Sequence, residues 1–597
     1  MLKKTGVIIL LTLSCVIVYG NMLNNRFVWD DKLFIEKSYF IRDFSNIKKV
    51  FYTDYWQASY RAYQASFYRP LITASFIIDF RMWKNNPFGY HLTNLIFHIL
   101  TCFIFFAVIR YFMSLGGAVL GSLVFAVHPI HTESVTFICG RTDVMSAFFL
   151  FTSLYLFIRG IFARKSIVRI FLISAVALLY MLALLCKEAS IVGLALFGVT
   201  WLCFRQDSRA EWRYPVQVLL AVSAMTVLYM IIRYTLLSGV MAHRNAYPGA
   251  TFMYTVLTLP KIIVLYIGKL LVPVGLSIDY APRVVTSVLS ASFIFPIIII
   301  LILLSITIVS YKRGRKVVAY GILWFFITVL PVTNIIPIGI FMADRFLYIP
   351  SLGLAFVGGY ILDGLVNRNY NRRIVFGCII VIMLSSMVLV VRRNTDWRNE
   401  YVLWSKTAET TPASFRAQGS LGQIFMEQGR YDEALRRTRL ALLYNPDDYR
   451  VLGNLGVIYL SLHKYDKAIE SFKKVLRLEP RDFRTYANLY VIYAEQNKPA
   501  LALECISKAI QNSPRNIELR RMKASYLYNL KQYGKAVMEY MDILKIMPDD
   551  IESLVAIGDI FRLNLNDAGR AEEFYTRALT LDPSNNDVIG KLSKINK

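Results

Sequence analysis

Cysteine and acid are both scarce in this chain of 597 residues, and each shortage excludes something. The seven cysteines (Cys15, Cys102, Cys139, Cys186, Cys203, Cys378 and Cys505) are scattered with no C-x-x-C spacing. Neither a zinc module nor a disulfide framework can be read from them. Asp and Glu number 40 against 67 Lys and Arg, a formal charge of +27. That excess suggests nucleic acid, but the bases form no continuous stripe. They sit in short clusters between apolar runs, as in Arg164-Lys165, Lys312-Arg313, Arg315-Lys316 and Arg372-Arg373. This is the positive-inside pattern of a polytopic membrane protein, and no nucleic-acid partner is expected.

What the chain has in quantity is apolar surface. Hydrophobic residues make up 56%, and the mean hydropathy is +0.46. The length calls for at least two units. Lys3-Lys4 and the run Val7 to Tyr19 read as a signal anchor, because no small-x-small cleavage site follows Ser14-Cys15. Placing basic clusters inside, with Arg205, Arg209 and Arg368 among them, gives about 11 transmembrane helices in residues 1–393, with a long external loop over 22–87. The stretch 254–273 carries Pro260, Lys261, Lys269 and Pro273. It is expected to lie at the interface or re-enter rather than span. An odd count leaves everything after Arg393 outside.

The last third has a clear period. Proline recurs at Pro412, Pro446, Pro480, Pro514 and Pro548, every 34 residues, and then at Pro583. Ala434, Ala468, Ala502 and Ala536 keep the same step, and Ala571 follows one residue late. Gly422, Gly456, Tyr490, Ala524 and Gly558 fill a further register position. Such a period predicts five tetratricopeptide (TPR) repeats over 415–597, an α-solenoid preceded by a connecting helix in 394–414. The fold expected is therefore all-α throughout. TPR arrays bind partners. Asn454 and Asn488 could line the concave face and grip the backbone of a protein or peptide acceptor, since an amide both donates and accepts. Locally bonded surface asparagines are the alternative.

Polar groups gather at what the topology makes the outer ends of the spans, where they are costly unless used. They are Asp30-Asp31, Arg69, Tyr90-His91, Asn94, His98, His128, His131, Glu133, Arg141, Asp143, Lys187-Glu188, Asp279, Asn334 and Asp344-Arg345. Several have simple alternatives. His128 and His131 could hold zinc, cap a helix end or bond Glu133. Arg141 could pair with Asp143, and Asp344 with Arg345. Asp30-Asp31 is harder to dismiss, because adjacent carboxylates repel without a donor, a metal or a task to hold them.

Phe27-Val28-Trp29-Asp30-Asp31, Tyr68-Arg69-Pro70, Tyr90-His91-x-x-Asn94, His128-Pro-Ile-His-Thr-Glu133, Gly140-Arg-x-Asp143 and Ala343-Asp-Arg-x-Leu-Tyr-x-Pro-Ser351 together resemble the transmembrane-and-TPR-containing O-mannosyltransferases of the GT-C superfamily. The segment Arg244 to Tyr280 resembles that family's central region. Ala-Asp-Arg stands where Ala-Glu-Arg is expected, and the short array suggests a prokaryotic relative in a bacterial inner membrane, with loop and repeats on the periplasmic side. The resemblance implies transfer of a hexose, mannose among the candidates, from a polyprenyl-phosphate donor to Ser/Thr hydroxyls of exported proteins. Asp30 or Asp31 is then the base. Arg345, Arg141, Lys187, Arg69, His91, Glu188 and Asp344 would bind the donor's phosphate and sugar. No metal is called for, although a divalent cation stays open. A glycan or lipid acceptor, or a non-enzymatic membrane-anchored scaffold, are the alternatives.

Overall fold

A computed structural model of the chain describes residues 4–55, 67–204, 212–237, 248–367 and 372–595. Arg205, Arg209, Arg244 and Arg368 lie outside the described residues. Among the described residues every regular element is helical. That is what backbone groups in hydrocarbon demand, since only a helix satisfies them within one segment. Two compact units divide the chain, Met1–Ser414 and Phe415–Lys597.

Unit 1 runs α1 (Lys4–Tyr19), α2 (Pro70–Trp83), α3 (Pro87–Ile109), α4 (Leu115–Ala126), α5 (Thr132–Thr136), α6 (Arg141–Ile161), α7 (Ser166–Cys186) and α8 (Gly193–Phe204). It continues with α9 (Arg213–Leu236), α10 (Phe252–Leu271), α11 (Ala291–Lys312), α12 (Lys316–Val329), α13 (Ser351–Asn367), α14 (Arg372–Asp396) and α15 (Glu400–Thr410). Starts are marked by side-chain caps. Asn86 accepts from the Phe88 N–H at 3.2 Å with Pro87 in the first turn, and Ser114 accepts from Gly117 at 3.1 Å. Among the described residues eight helices are long and apolar enough to cross a membrane, and nine if α4 and its bent continuation Pro129–Thr136 count as one span. Three shorter apolar helices accompany them. The stretch expected at the interface is the continuous helix α10, which counts among the eight by length and composition.

Contacts sort the helix ends into two sets. At one pole Ser114 donates to Asp363 at 2.6 Å, Lys316 donates to the Cys203 carbonyl at 2.9 Å, and Tyr111 stacks on Phe162. At the other pole lie part-buried ion pairs, Arg69 with Glu188 and Arg345 with Glu133 among them. Small residues let helices meet where lipid offers no hydrophobic drive. Gly117 and Gly121 of α4 face Ala355 and Gly359 of α13. A Cβ on Gly121 would come within 2.8 Å of the Ala355 carbonyl, and one on Gly359 within 2.7 Å of the Gly117 carbonyl.

Unit 2 is five helix pairs and a closing helix: α16/α17 (Phe415–Glu427, Tyr431–Tyr444), α18/α19 (Tyr449–Ser461, Tyr465–Leu478), α20/α21 (Phe483–Glu495, Pro499–Asn512), α22/α23 (Ile517–Asn529, Tyr533–Ile546), α24/α25 (Ile551–Asn564, Ala568–Leu581) and α26 (Asn586–Ser593). The small register position is where the two helices of a pair touch. A Cβ on Gly456 would lie 2.4 Å from the Phe472 ring, and one on Gly558 2.6 Å from Tyr575. Ala434, Ala468, Ala502, Ala536 and Ala571 are fully buried. Two further periodic features do structural work. Asp448, Asp482, Asn516 and Asp550 cap the first helix of each pair after the first. His463, Asn497 and Lys531 take positive φ in the turns within pairs.

Candidate active site

Trp29, just before the acid pair, adopts φ +52, a region bulky side chains avoid. Its ring stacks on Phe137 (5.4 Å), which stacks on Trp397 (5.2 Å), and Trp404 meets Trp29 edge-on at 5.7 Å. This packing holds the strained turn and sets the direction in which the two acids leave it. Asp31 points inward and is fully buried. Its carboxylate accepts from the Cys139 N–H at 2.9 Å and the Val28 N–H at 3.3 Å. Burial pushes its pKa up to about 7 against those two bonds, with Asp30 adding to the rise. Asp30 remains partly exposed. The two acids are thus held differently, one buried and bonded to two backbone N–H groups, the other partly exposed.

Cys139 precedes a tight bend that only glycine allows. A Cβ at Gly140 would lie 2.6 Å from the Ser134 carbonyl and 2.7 Å from that of Glu133. Glu133, buried on α5, holds Arg345 through both oxygens: one accepts from the guanidinium Nη1 and the other from the Arg345 backbone N–H at 2.9 Å. The guanidinium lies over Phe346 (5.1 Å) and Trp29 (5.6 Å), with Asp143 and Asp30 close enough to raise its pKa, although Glu133 acts more strongly and burial opposes them. Lys187 pairs with Asp143 and lies 5.9 Å from the Phe346 ring. Arg69 meets Glu188 in a two-pronged pair at 3.0 and 2.6 Å.

Several nominated residues stand elsewhere. Arg141 is fully buried, with its guanidinium consumed by Asp79 (2.6 Å), Asn94 (2.8 Å), Ser75 (3.0 Å) and the Tyr90 carbonyl (2.9 Å). It locks α2 and α3 to α6, and no face is left for a phosphate. His91 is fully buried, its ring beside the backbone of Asn25 and Thr136, so it offers no exposed face to a sugar or phosphate. Asp344 turns away from Arg345 and accepts from Tyr280 at 2.6 Å, with Arg393 at 3.6 Å. Burial first, then Glu133, raises its pKa to about 7 despite the counter-charge of Arg393. The simple pairings therefore fail: Arg141 takes Asp79 rather than Asp143, and Arg345 takes Glu133 rather than Asp344. His131 bonds Ser351 at 2.7 Å instead of Glu133, whereas His128 caps its own turn by accepting from the Ile130 N–H at 3.2 Å. In unit 2, Asn454 and Asn488 are half-buried on α18 and α20. Among the described residues neither side chain has a hydrogen-bond partner.

Cysteine spacing concealed one cluster. Cys15 on α1 and His98 and Cys102 on α3 bring one ligand atom each within 4.8 Å of one another. They could coordinate a soft metal. His98 already faces the Tyr348 hydroxyl at 2.8 Å and the Ala126 carbonyl at 3.2 Å, so it would have to give up one of these bonds.

A family model described as the cytochrome c-type biogenesis protein H TPR domain matches residues 434–554, and a tetratricopeptide-repeat model matches 551–585. Human protein O-mannosyl-transferase TMTC3 is 24% identical over 480 residues, which cover 75% of this chain and 52% of the human protein. Protein O-mannosyl-transferase F38B6.6 of Caenorhabditis elegans is 24% identical over 74% of the chain and 63% of its own length. Human TMTC1 is 25% identical over 74% and 56%. The chain spans about half the length of curated relatives such as the human and mouse TMTC3 proteins. Among solved structures, the crystal structure of MamA matches 30% of this chain at 19% identity with a TM-score of 0.27. The chain is a TPR-containing, GT-C-like membrane protein, distantly related to the protein O-mannosyl-transferases.

Proposed function

We propose that this protein is an inverting glycosyltransferase that moves a hexose from a polyprenyl-phosphate carrier to Ser/Thr hydroxyls of exported proteins. One observation carries the reading: Asp30, a partly exposed carboxylate beside the strained Trp29 turn, lies near enough to Arg345 for its charge to act on that guanidinium, which itself lies over the Trp29 ring. The acceptor hydroxyl is a poor nucleophile until its proton is taken. Asp30 takes that proton as the oxygen attacks the anomeric carbon and the bond from that carbon to the phosphate oxygen breaks. One displacement inverts the anomeric centre. The departing lipid phosphate is an anion. Arg345, oriented by Glu133, meets it first, with Lys187 and Arg69 flanking. Asp31 holds the loop to Cys139 and takes no proton from substrate.

Membrane topology supports the reading. The end of α1 and the end of α14 share one pole: Asn394 donates to the Val18 carbonyl at 2.7 Å, and Arg393 pairs with Asp344. An odd number of crossings follows. α9 and α10 both finish at that pole, where Tyr229 donates to the Tyr68 carbonyl and His128 lies 2.9 Å from the Leu270 carbonyl. On this reading α10 lies flat, and the other seven long helices, the bent pair and the three shorter ones make eleven crossings. Ser414, where unit 1 ends, donates to Asp279 at 2.6 Å, so the repeats leave from the site's side of the membrane. With Lys and Arg clusters at the opposite pole facing the cytoplasm, that side is external.

The test supplies purified full-length protein with polyprenyl-phosphate hexoses and a Ser/Thr-rich peptide, and reads peptide mass. Gain of one hexose is expected. If no hexose is transferred to peptide, glycan or lipid from any donor, the chain is a scaffold instead.

A further inference from the structure

The residue after the first position of each repeat follows a register of its own. Arg416, Arg450 and Arg484 recur at the 34-residue step, and the next two rungs are Glu518 and Glu552. The residue just before changes at the same point, from Phe415, Tyr449 and Phe483 to Ile517 and Ile551. In the first three repeats each guanidinium lies over the ring beside it, at 5.0, 5.8 and 5.4 Å. The aromatic neighbour limits how far the long arginine can wander and so lowers the entropy lost when it binds a ligand.

The two kinds of rung are compensated differently. Glu518 and Glu552 both reach Arg521, at 3.3 and 2.5 Å. Arg450 is well exposed and has only Asp448 at 3.6 Å, a carboxylate that also accepts from two backbone N–H groups as a helix cap. Arg484 is exposed, and among the described residues it makes no ion pair. Four residues on, one helical turn along the same face, stand Asn454 and Asn488 with their amides unengaged. Positive charge that keeps step with amides able to grip a peptide backbone describes a surface for one kind of chain.

From this register we infer that the second and third repeats, with Arg450, Asn454, Arg484 and Asn488, bind an extended polypeptide segment rich in Asp and Glu. The guanidinium rungs read its carboxylates and the asparagines its backbone. The inference deepens the proposed acceptor role and rests on it only for the identity of the client, because binding is measured without transfer.

The experiment uses full-length protein in neutral detergent with fluorescein-labelled extended peptides that are acidic, basic or uncharged, and reads anisotropy at two salt concentrations. The acidic peptide should bind most tightly and weaken with salt. R450E/R484E should lower its affinity about tenfold or more, and R450A/R484A by several-fold. E518K/E552K should not weaken it. Equal affinity for acidic and uncharged peptides, a change under about twofold in R450E/R484E, or preference for anionic lipid vesicles over the acidic peptide would each overturn the inference. Hexose transfer to a short uncharged peptide, scored separately, shows which reading has failed: transfer without acid preference removes this one alone, and acid preference without transfer removes the enzyme.

Discussion

Trp29 turns the chain with φ +52, and the placement of both acids depends on that turn: Asp31 goes into the protein and Asp30 stays at its surface. Two adjacent acids looked costly in the sequence, and the cost is relieved by giving one of them a raised pKa. The carboxyl of Asp31, at about 7, still holds its proton over a range where an ordinary carboxylate has lost it. Because the folded value lies above the unfolded one, the contribution of Asp31 to folding stability is greatest below about pH 4 and is lost as pH rises through about 7. Thermal melts in detergent should show this slope in the wild type and a smaller one in Asp31→Asn. At the other end of the site, Arg345→Ala should lower transfer by on the order of 10²–10³-fold by analogy with loss of an oxyanion donor. Single-turnover kinetics with saturating donor checks it. Which acids and bases lie near the membrane face was readable from the motifs, but their pairing was not. Arg345 and Glu133 are 212 residues apart, and Arg69 and Glu188 119. Spacing carries no information over such separations, so neighbours in sequence were the natural and mistaken guess.

Helices were the most legible level in the repeats and the least in the membrane unit. A step of 34 residues gives the helix pairs directly, because a small residue is needed wherever the two helices touch. The caps at the same step are equally periodic, yet Asp and Asn at a loop end are easily taken for surface residues. Asp482 bonds both the N–H and, at 2.5 Å, the hydroxyl of Thr485. Asp482→Ala should cost about 1 kcal/mol. Hydrogen exchange on the full chain should show the loss as faster exchange at the start of α20, with the other repeats little changed. The glycine contact of α4 with α13 illustrates the opposite case: the residues are visible in sequence, but only the fold shows that Gly121 faces Ala355.

For the whole molecule, the ends of unit 1 fix an odd number of crossings in the proposed topology, and length alone would miscount them. α10 is apolar enough to span, yet its end contacts lie at the site's pole, and composition does not record where a helix ends. A reporter joined after Ser414 should be active only on the external side, and one placed in the Lys312 to Lys316 turn only in the cytoplasm. The repeats, the loop with its acids and the cation cluster would then share a compartment, as the proposed chemistry requires.

The most direct measurement compares initial rates of hexose transfer by the wild type, Asp30→Asn and Asp31→Asn, with each variant's folding checked by its melt. Asp30→Asn should fall by about 10²–10⁴-fold, the contribution of a positioned base, while its melting temperature is kept. Asp31→Asn, which puts a neutral side chain of the same shape where burial disfavours the charge, should keep most of its transfer rate and its melting temperature. Equal rates for Asp30→Asn and the wild type would contradict the account.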